Sequence, residues 1–346
     1  MRYVDFLTIV KYAWMAYDAS REIKSVRDIS ANVSTNHVYR IDFESGGFVI
    51  AKLSYFGKYE HFKEDHRIIN VLANNLPAPF ENFLARSLIL KTKLFVHRFK
   101  NDSIDAWVVF YKPIKIKQKL PPRLDEFHIK KLGQQFATLH KTCHQIRHTL
   151  PPSSKTLRID LEHLTEILDS DVGKFEHRGH VDEIKAQIDI LLENLEKSET
   201  DQLDKIPVFV DWNIGNFSVD EESNLFSRWD YDWFRMSSRM LDFYFLSRIV
   251  SDIGDRSVFT YNVGPLSEER FILFLKEYHK TYPLTETEIR LLKEVYRFFI
   301  LNYVIKDGRY FFHEIYATKL QKEAYESYFP NIDQFKPEVL LKALKI

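Results

Sequence analysis

Two runs of alternating apolar residues, Val38-Tyr39-Arg40-Ile41-Asp42-Phe43 and Phe48-Val49-Ile50-Ala51-Lys52-Leu53, flank the segment Glu44-Ser45-Gly46-Gly47. Successive side chains of a strand face opposite sides, so such runs suit half-buried strands, and Gly-Gly between them reads as a hairpin turn. An antiparallel sheet is therefore expected in the first third of the chain. Around it the period changes. Val4, Leu7, Val10 and Trp14 recur at helical spacing over 2–17, and Ile68, Ile69, Val71 and Leu72 group on a second helix over 59–74 that exits at Pro77 and Pro79. Two further strands are expected near 93–99 and 105–112. Beyond Pro113 and Pro121-Pro122 the pattern is helical over 125–147, 158–170, 179–198, 266–281 and 285–305, with a β-rich interruption at 207–231. The 346 residues exceed one comfortable core. The expectation is an α+β chain in two lobes: 1–112, with a small antiparallel sheet, and 113–346, mostly helical, with a helical insertion at about 155–200.

Charge narrows the partners. Lys+Arg and Asp+Glu balance at 49 each, whereas nucleic acid binding needs clustered cations that displace counterions. Cys143 is the sole cysteine, so no intrachain disulfide can form and a reducing compartment fits. Asp5 and Lys11 interrupt the apolar start, and no run approaches the roughly 20 apolar residues that cross a bilayer. A soluble, cytoplasmic protein without a membrane partner is expected, as a monomer or homodimer.

Phosphoryl transfer asks a protein for few parts: a cation on the phosphates, oxygen ligands for Mg²⁺, and a carboxylate facing the attacking hydroxyl. Lys52 ends the apolar strand Val49-Ile50-Ala51, where a lysine can reach the α/β-phosphates. On this tetrapeptide alone, a solvated edge-strand lysine is the better reading. Glu64 lies twelve residues on, at the edge of the buried face of the 59–74 helix, with Glu60 one turn earlier as its competitor for holding that lysine. Asp211 precedes Asn216 by five residues, the spacing by which one loop presents a base and a metal ligand to the same phosphate. Asp65/Asn70 and Asp189/Asn194 share the spacing but fall in helical stretches. Asp211 instead follows Val208-Phe209-Val210 and is succeeded by Phe217-Ser218-Val219, a strand–loop–strand setting. Asp230 comes fourteen residues past Asn216, on a strand after the turn Asp220–Asn224, and is placed to share Mg²⁺ with it, since a hard cation takes oxygen ligands.

At these residues the chain resembles the aminoglycoside phosphotransferase and choline kinase family of small-molecule kinases, over most of its length. Asn32 through Arg40, with Val38-Tyr39-Arg40, resembles the family's phosphate-covering loop, although without its glycines. Leu132 through Leu139-His140 resembles the family helix that ends in Leu-His. Asp211, Gly215 and Asn216 match the His-Gly-Asp-x-His-Pro-Gly-Asn loop, with Phe209 in place of the first histidine, Val210 in place of its glycine, and Asn213 in place of the second histidine. Asp230 matches the aspartate of Ile-Asp-Trp, with Tyr231 for the tryptophan, and Asp242 falls where a later structural aspartate is expected. The resemblance implies a two-lobed protein-kinase-like fold and an ATP- and Mg²⁺-dependent transfer to a small-molecule alcohol: an amino alcohol, amino acid, sugar or aminoglycoside. Lys52 and Glu64 would then bind the nucleotide, Ser34, Thr35 and Asn36 cover the phosphates, Asn216 and Asp230 hold Mg²⁺, and Asp211 accept the hydroxyl proton. Backbone near Phe110–Pro113 would receive the adenine. Phe209 also leaves open a nucleotide-binding protein without turnover, acting as a sensor or scaffold.

Two other clusters have simpler readings. His140, Cys143, His144 and His148 share helical spacing that could hold zinc, but ligand spacing without closing partners is weak. His177 and His180 read as surface residues of a charged segment. Trp212, Tyr231, Trp233 and Phe234 could wall a cationic acceptor by ring-face attraction or serve as core. Asp232 is either a contact for a substrate amine or a support for its neighbours.

Overall fold

The computed structural model describes residues 5–30, 36–252 and 260–346. The chain divides into two compact units. One is Met1–Ile116 together with Thr149–Ser153 and Ser227–Trp229; the other is Lys117–His148, Ser154–Phe226 and Asp230–Ile346.

The first unit opens with helix α1 (Phe6–Asp18), whose N-cap Asp5 accepts a hydrogen bond from the Leu7 N–H. Strands β1 (Ile23–Asp28), β2 (His37–Phe43) and β3 (Phe48–Ser54) follow, then helix α2 (Tyr59–Asn75). The short pair β4 (Ile89–Leu90) and β5 (Lys93–Leu94) precedes β6 (Val96–Lys100) and β7 (Asp105–Tyr111). Five strands form an antiparallel sheet in the order β1-β2-β3-β7-β6. The expected hairpin is β2–β3, turning through Gly46 and Gly47 at φ +82° and +76°, left-handed backbone that glycine adopts without penalty.

Strand alternation divides the sheet's faces. Ile41, Phe43, Val49, Ala51, Leu53, Ala106, Val108 and Phe110 join Ile9, Val10, Ala13 and Trp14 of α1 in one buried cluster. Trp14 meets Phe110 edge-on at 5.2 Å and donates its indole N–H to the Arg21 carbonyl. The opposite face carries Trp107 and Tyr111, which contact α2: Tyr59 and Phe62 pack on Trp107, and the His66 ring lies 2.5 Å from the Tyr111 hydroxyl. β1 carries no readable sequence signal, because it is an edge strand without apolar alternation, largely exposed on both faces.

The second unit begins with α3 (Glu126–Ile146), capped by Asp125, whose side chain accepts from the His128 N–H. Helices α4 (Leu157–Asp169), α5 (Asp171–Glu176) and α6 (Val181–Lys197) make up the expected insertion. The β-rich stretch comprises β8 (Ile206–Val208), β9 (Phe217–Val219), β10 (Leu225–Arg228) and β11 (Arg235–Ser237), paired as β9–β10 and β8–β11. Then come α7 (Phe243–Val250), α8 (Glu269–Thr281) and α9 (Glu286–Phe299), the last continuing as a π-helical turn over Ile300–Lys306. Helices α10 (Gly308–Phe311), α11 (Glu314–Glu323), α12 (Phe329–Gln334) and α13 (Glu338–Leu344) close the chain. No described helix is long and apolar enough to cross a membrane. His177 corrects one expectation: only 3% of it is exposed, and the Tyr325 hydroxyl lies 3.4 Å from its Nδ1.

Candidate active site

In the first unit, Lys52 is 4% exposed. It pairs in register with Val38 on β2 and Val109 on β7. Residues directly opposite in a sheet share a face, so Lys52 lies on the face bearing Trp107 and Tyr111, the one α2 covers. A lysine this buried needs counter-charge or hydrogen bonds, and α2 carries three carboxylates, Glu60, Glu64 and Asp65. Glu64 is half-buried, with Oε1 accepting from Ser153 Oγ at 3.0 Å, while Glu60 is exposed. Asp65, whose only sequence signal is its spacing to Asn70, is more deeply buried than either Glu60 or Glu64, at 6% exposed. Asn36 is buried as well, whereas Ser34 and Thr35 lie outside the described residues. Along Phe110–Pro113, the Phe110 carbonyl accepts from the Leu88 N–H and the Lys112 N–H donates to Arg86. Pro113 has no N–H to offer.

In the second unit, the loop after β8 folds on itself. The Asn213 N–H donates to Asp211 Oδ1 at 3.1 Å, and Asn216 Nδ2 donates to Asp211 Oδ2 at 2.9 Å. The Gly215 N–H donates to Asn213 Oδ1, and the Asn216 N–H to the Asn213 carbonyl. Both carboxylate oxygens of Asp211 are thereby oriented. Because Asn216 spends its amide N–H₂ on Asp211, its Oδ1 is the atom left to face a cation.

A buried chain of hydrogen bonds anchors this loop. The Val210 N–H donates to Asp242 Oδ1 at 2.6 Å; the other oxygen of Asp242 is 2.9 Å from His140 Nε2, and His140 Nδ1 is 2.7 Å from the Tyr278 hydroxyl. The His140 ring thereby bridges the Asp242 carboxyl and the Tyr278 hydroxyl. Asp242 is fully buried and His140 is 1% exposed. This engagement accounts for His140 without a metal; His144 bonds Asp204 at 2.8 Å, and Cys143 is buried with its thiol pKa pushed up by desolvation. Among the described residues no group of three or more His, Cys, Asp and Glu side chains is arranged to hold a metal ion.

Val210 adopts φ +64°. Left-handed backbone crowds a β-branched side chain, so this valine is strained where the resembling family has glycine. Phe209 is 2% exposed and packs on Trp212, Tyr231 and Phe234. Trp212 is fully buried, edge-on to Phe136 at 4.4 Å and to Phe217 at 5.7 Å. Of the two readings for Trp212, the geometry favours core: no face of it is open to an acceptor.

Asp230 is half-buried at φ +67°, a conformation aspartate tolerates better than most residues. The Asp232 N–H lies 3.3 Å from Asp230 Oδ1, and the Asp232 side chain is exposed. Trp233 is half-buried, edge-on to Tyr303 at 3.9 Å and to Phe311 at 4.7 Å. Near Tyr303 is a charged cluster the sequence did not reveal. Arg235 pairs with Asp160, Lys155 donates to the Phe234 carbonyl, and Lys306 lies 3.7 Å from Asp160 and 3.6 Å from Asp307. Burial pushes the Asp307 carboxyl up to about 6, with neighbouring Asp160 adding to the rise and Lys306 opposing it. The π-helical turn that carries Tyr303 and Lys306 leaves no mark in apolar spacing, which is why the cluster was not legible.

No family model matches the chain, and no curated protein matches it. Solved structures do. An amicoumacin kinase, hAmiN, in complex with AMP-PNP, Ca²⁺ and Ami superposes with TM-score 0.65 at 14% identity, covering 97% of each chain. A microcompartment-associated aminopropanol kinase gives 0.61 at 16% identity, covering 92% of this chain and 94% of its own. An aminoglycoside 2'-phosphotransferase-IIIa in its GDP complex gives 0.57 at 12% identity, over 94% and 100%. At such identities the likeness is one of fold. The antiparallel sheet of the first unit and the helices of the second are those of the protein-kinase-like α+β fold that these small-molecule kinases share.

Proposed function

We propose that the protein is an ATP- and Mg²⁺-dependent phosphotransferase acting on a hydroxyl of a small molecule. The observation that carries this reading is the loop Asp211–Asn216, in which the Asn216 amide orients the Asp211 carboxylate while Asp242 and His140 hold the loop from beneath. The neighbours of like fold include an amicoumacin kinase and an aminopropanol kinase, which supports the reaction class.

Lys52 binds the α/β-phosphates, positioned by Glu64 with Asp65 beside it. Ser34, Thr35 and Asn36 cover the phosphates, and backbone near Phe110–Pro113 receives the adenine. Asn216 and Asp230 supply two hard oxygen ligands, which suit Mg²⁺; the ion would complete its shell from phosphate oxygens and water and neutralise charge there. Asp211 orients the acceptor hydroxyl and accepts its proton. Trp233 and Asp232 lie on the acceptor side, with the insertion 155–200 and the C-terminal helices as its wall. The non-catalytic alternative rested on Phe209. The anchoring of the loop through Asp242 supports turnover instead, because that anchor does not depend on a side chain at 209.

Asp211→Asn keeps the shape and removes the base. Turnover should fall about 10²- to 10⁴-fold while Mg²⁺·ATP binding persists. Near-full activity would take Asp211 out of the role. Nucleotide binding with no ATP consumption by wild-type protein across a broad alcohol panel would favour the non-catalytic reading.

A further inference from the structure

A cavity of about 390 Å³ opens in the first unit beside the start of α2. Lys58, Tyr59, Glu60 and His61 form one wall of it. Lys58 is the N-cap residue of α2, in the extended conformation usual there (φ −109°, ψ 128°), yet it gives the first turn no side-chain hydrogen bond. The Phe62 N–H reaches the Lys58 carbonyl at 3.1 Å. The amides of Tyr59, Glu60 and His61 precede it and so have no carbonyl partner within the helix. A helix of 17 residues thus begins, positive end first, at the cavity.

A second observation points to a ligand that accepts hydrogen bonds. Trp107 lines the same cavity from β7, is 2% exposed, and its indole Nε1 has no hydrogen-bond partner among the described residues. Trp14 in the same unit shows the usual outcome, donating to the Arg21 carbonyl at 3.2 Å. An indole N–H can only donate, and a buried donor without an acceptor is costly. The acids at the cavity do not stand against an anion. Arg98 donates to both oxygens of Asp105, at 2.8 and 2.6 Å, and so neutralises it, with the guanidinium carbon 4.4 Å from the Tyr59 ring centroid. Glu60 is exposed to solvent, and exposed Lys58 adds positive charge beside it.

We propose that this cavity binds a small aromatic anion, with its ring among Tyr55, Tyr59 and Trp107 and its charged oxygens at the first turn of α2. Those three rings line the cavity, and aromatic rings pack favourably edge-on or offset against one another. Helix amides and an indole donor suit acceptors that carry negative charge. A volume of about 390 Å³ is at the lower end for small-molecule sites, room for a ring or two with a short acidic arm. An aromatic cation would meet the ring faces but leave these donors unanswered. Carboxylates and phosphate monoesters share the required chemistry. The inference does not rest on the kinase reading, since none of the residues given a part in phosphoryl transfer lines the cavity.

The test titrates the full chain calorimetrically with phenylacetate, indole-3-acetate and phenyl phosphate, in the presence and absence of Mg²⁺·ATP. Phenylacetamide, phenethylammonium, acetate and inorganic phosphate serve as comparisons. At least one aromatic anion should bind about 10-fold or more tightly than phenylacetamide, with nucleotide or without it. Phenyl phosphate against phenylacetate then tells which anion the site prefers. Lys58→Asp is the most telling variant. An aspartate N-cap satisfies first-turn amides itself, so the melting temperature should rise while affinity for the anion falls about 10- to 100-fold. Trp107→Phe keeps a ring and removes the donor, and should weaken binding about 10-fold. In the wild type, bound anion should slow hydrogen exchange at Tyr59, Glu60 and His61. Equal affinity for phenylacetate and its amide, or a preference for phenethylammonium, would overturn the proposal. So would acetate or inorganic phosphate binding as tightly as the aromatic anions, displacement by Mg²⁺·ATP, or full affinity in Lys58→Asp.

Discussion

Asp307 illustrates how a single side chain can act through its surroundings alone. Its carboxyl is largely buried beside Lys306 and near Asp160, and desolvation lifts it to about 6 from an ordinary 3.8. An acid with a raised native pKa binds its proton more tightly folded than unfolded. Between about pH 4 and pH 6 the unfolded chain has lost that proton while the native state retains it, so this residue's contribution to stability falls as pH rises through the window and is level above it. At about 1.4 kcal/mol per pKa unit the fall is roughly 3 kcal/mol. Asp307→Asn should abolish it: urea denaturation of both proteins at pH 4 and pH 7 should show the variant gaining about 2–3 kcal/mol on wild type. A difference between them that does not change with pH would refute the assignment. Residue-scale features of this kind were poorly legible. Asp211 and Asn216 could be found because their spacing carries information, and Lys52 because it ends an apolar strand. The left-handed backbone of Val210 and the burial of Asp65 depend on neighbours distant in the chain.

At the scale of elements, one crossing matters most to the site. Helix α3 passes α8 so closely that a Cβ on Gly133 would lie 2.7 Å from the Phe274 carbonyl oxygen and 3.2 Å from the Tyr278 backbone nitrogen. Seven residues, two turns, separate Gly133 from His140, so both lie on the same face of α3. Gly133→Ala gains up to about 1 kcal/mol of helix propensity but must push the two helices apart. We expect a net loss of about 1–3 kcal/mol in chemical denaturation. Turnover should fall as well, because His140 would be drawn from Asp242 and the loop beneath Val210 loosened. Unchanged stability and turnover would show that the crossing has slack. The existence of α3 was plain from the sequence, and its ends at Glu126 and Ile146 lie within a residue of the expected 125–147. Its partner was not, since periodicity marks which face is buried and not what buries it. The short 3-residue strands β8, β9 and β11 and the π-helical turn at Ile300–Lys306 are too brief or too irregular to set up a readable period.

For the whole molecule, the proposed function implies linkage between nucleotide and stability. A ligand that binds only the native state stabilises it by about 2.7 kcal/mol at a hundred times its dissociation constant. Mg²⁺·ATP should therefore raise the melting temperature by several degrees, Mg²⁺-free ATP by less, and Lys52→Ala should diminish the shift. A protein whose melting temperature ignores Mg²⁺·ATP at millimolar concentration does not bind the nucleotide, and the phosphotransferase reading would fall with it.

Local patterns were enough to establish that this chain makes an antiparallel hairpin sheet followed by helices. They also established that a carboxylate and an amide five residues apart occupy a loop between strands. Those properties depend on steric and apolar preferences acting over a few residues. What surrounds the loop required tertiary structure: Asp242 lies 32 residues from Val210 and 102 from His140, yet one carboxylate bonds both. Packing decides which polar groups meet in the interior and which are left unpaired, and no pattern within a few residues of either partner encodes that outcome.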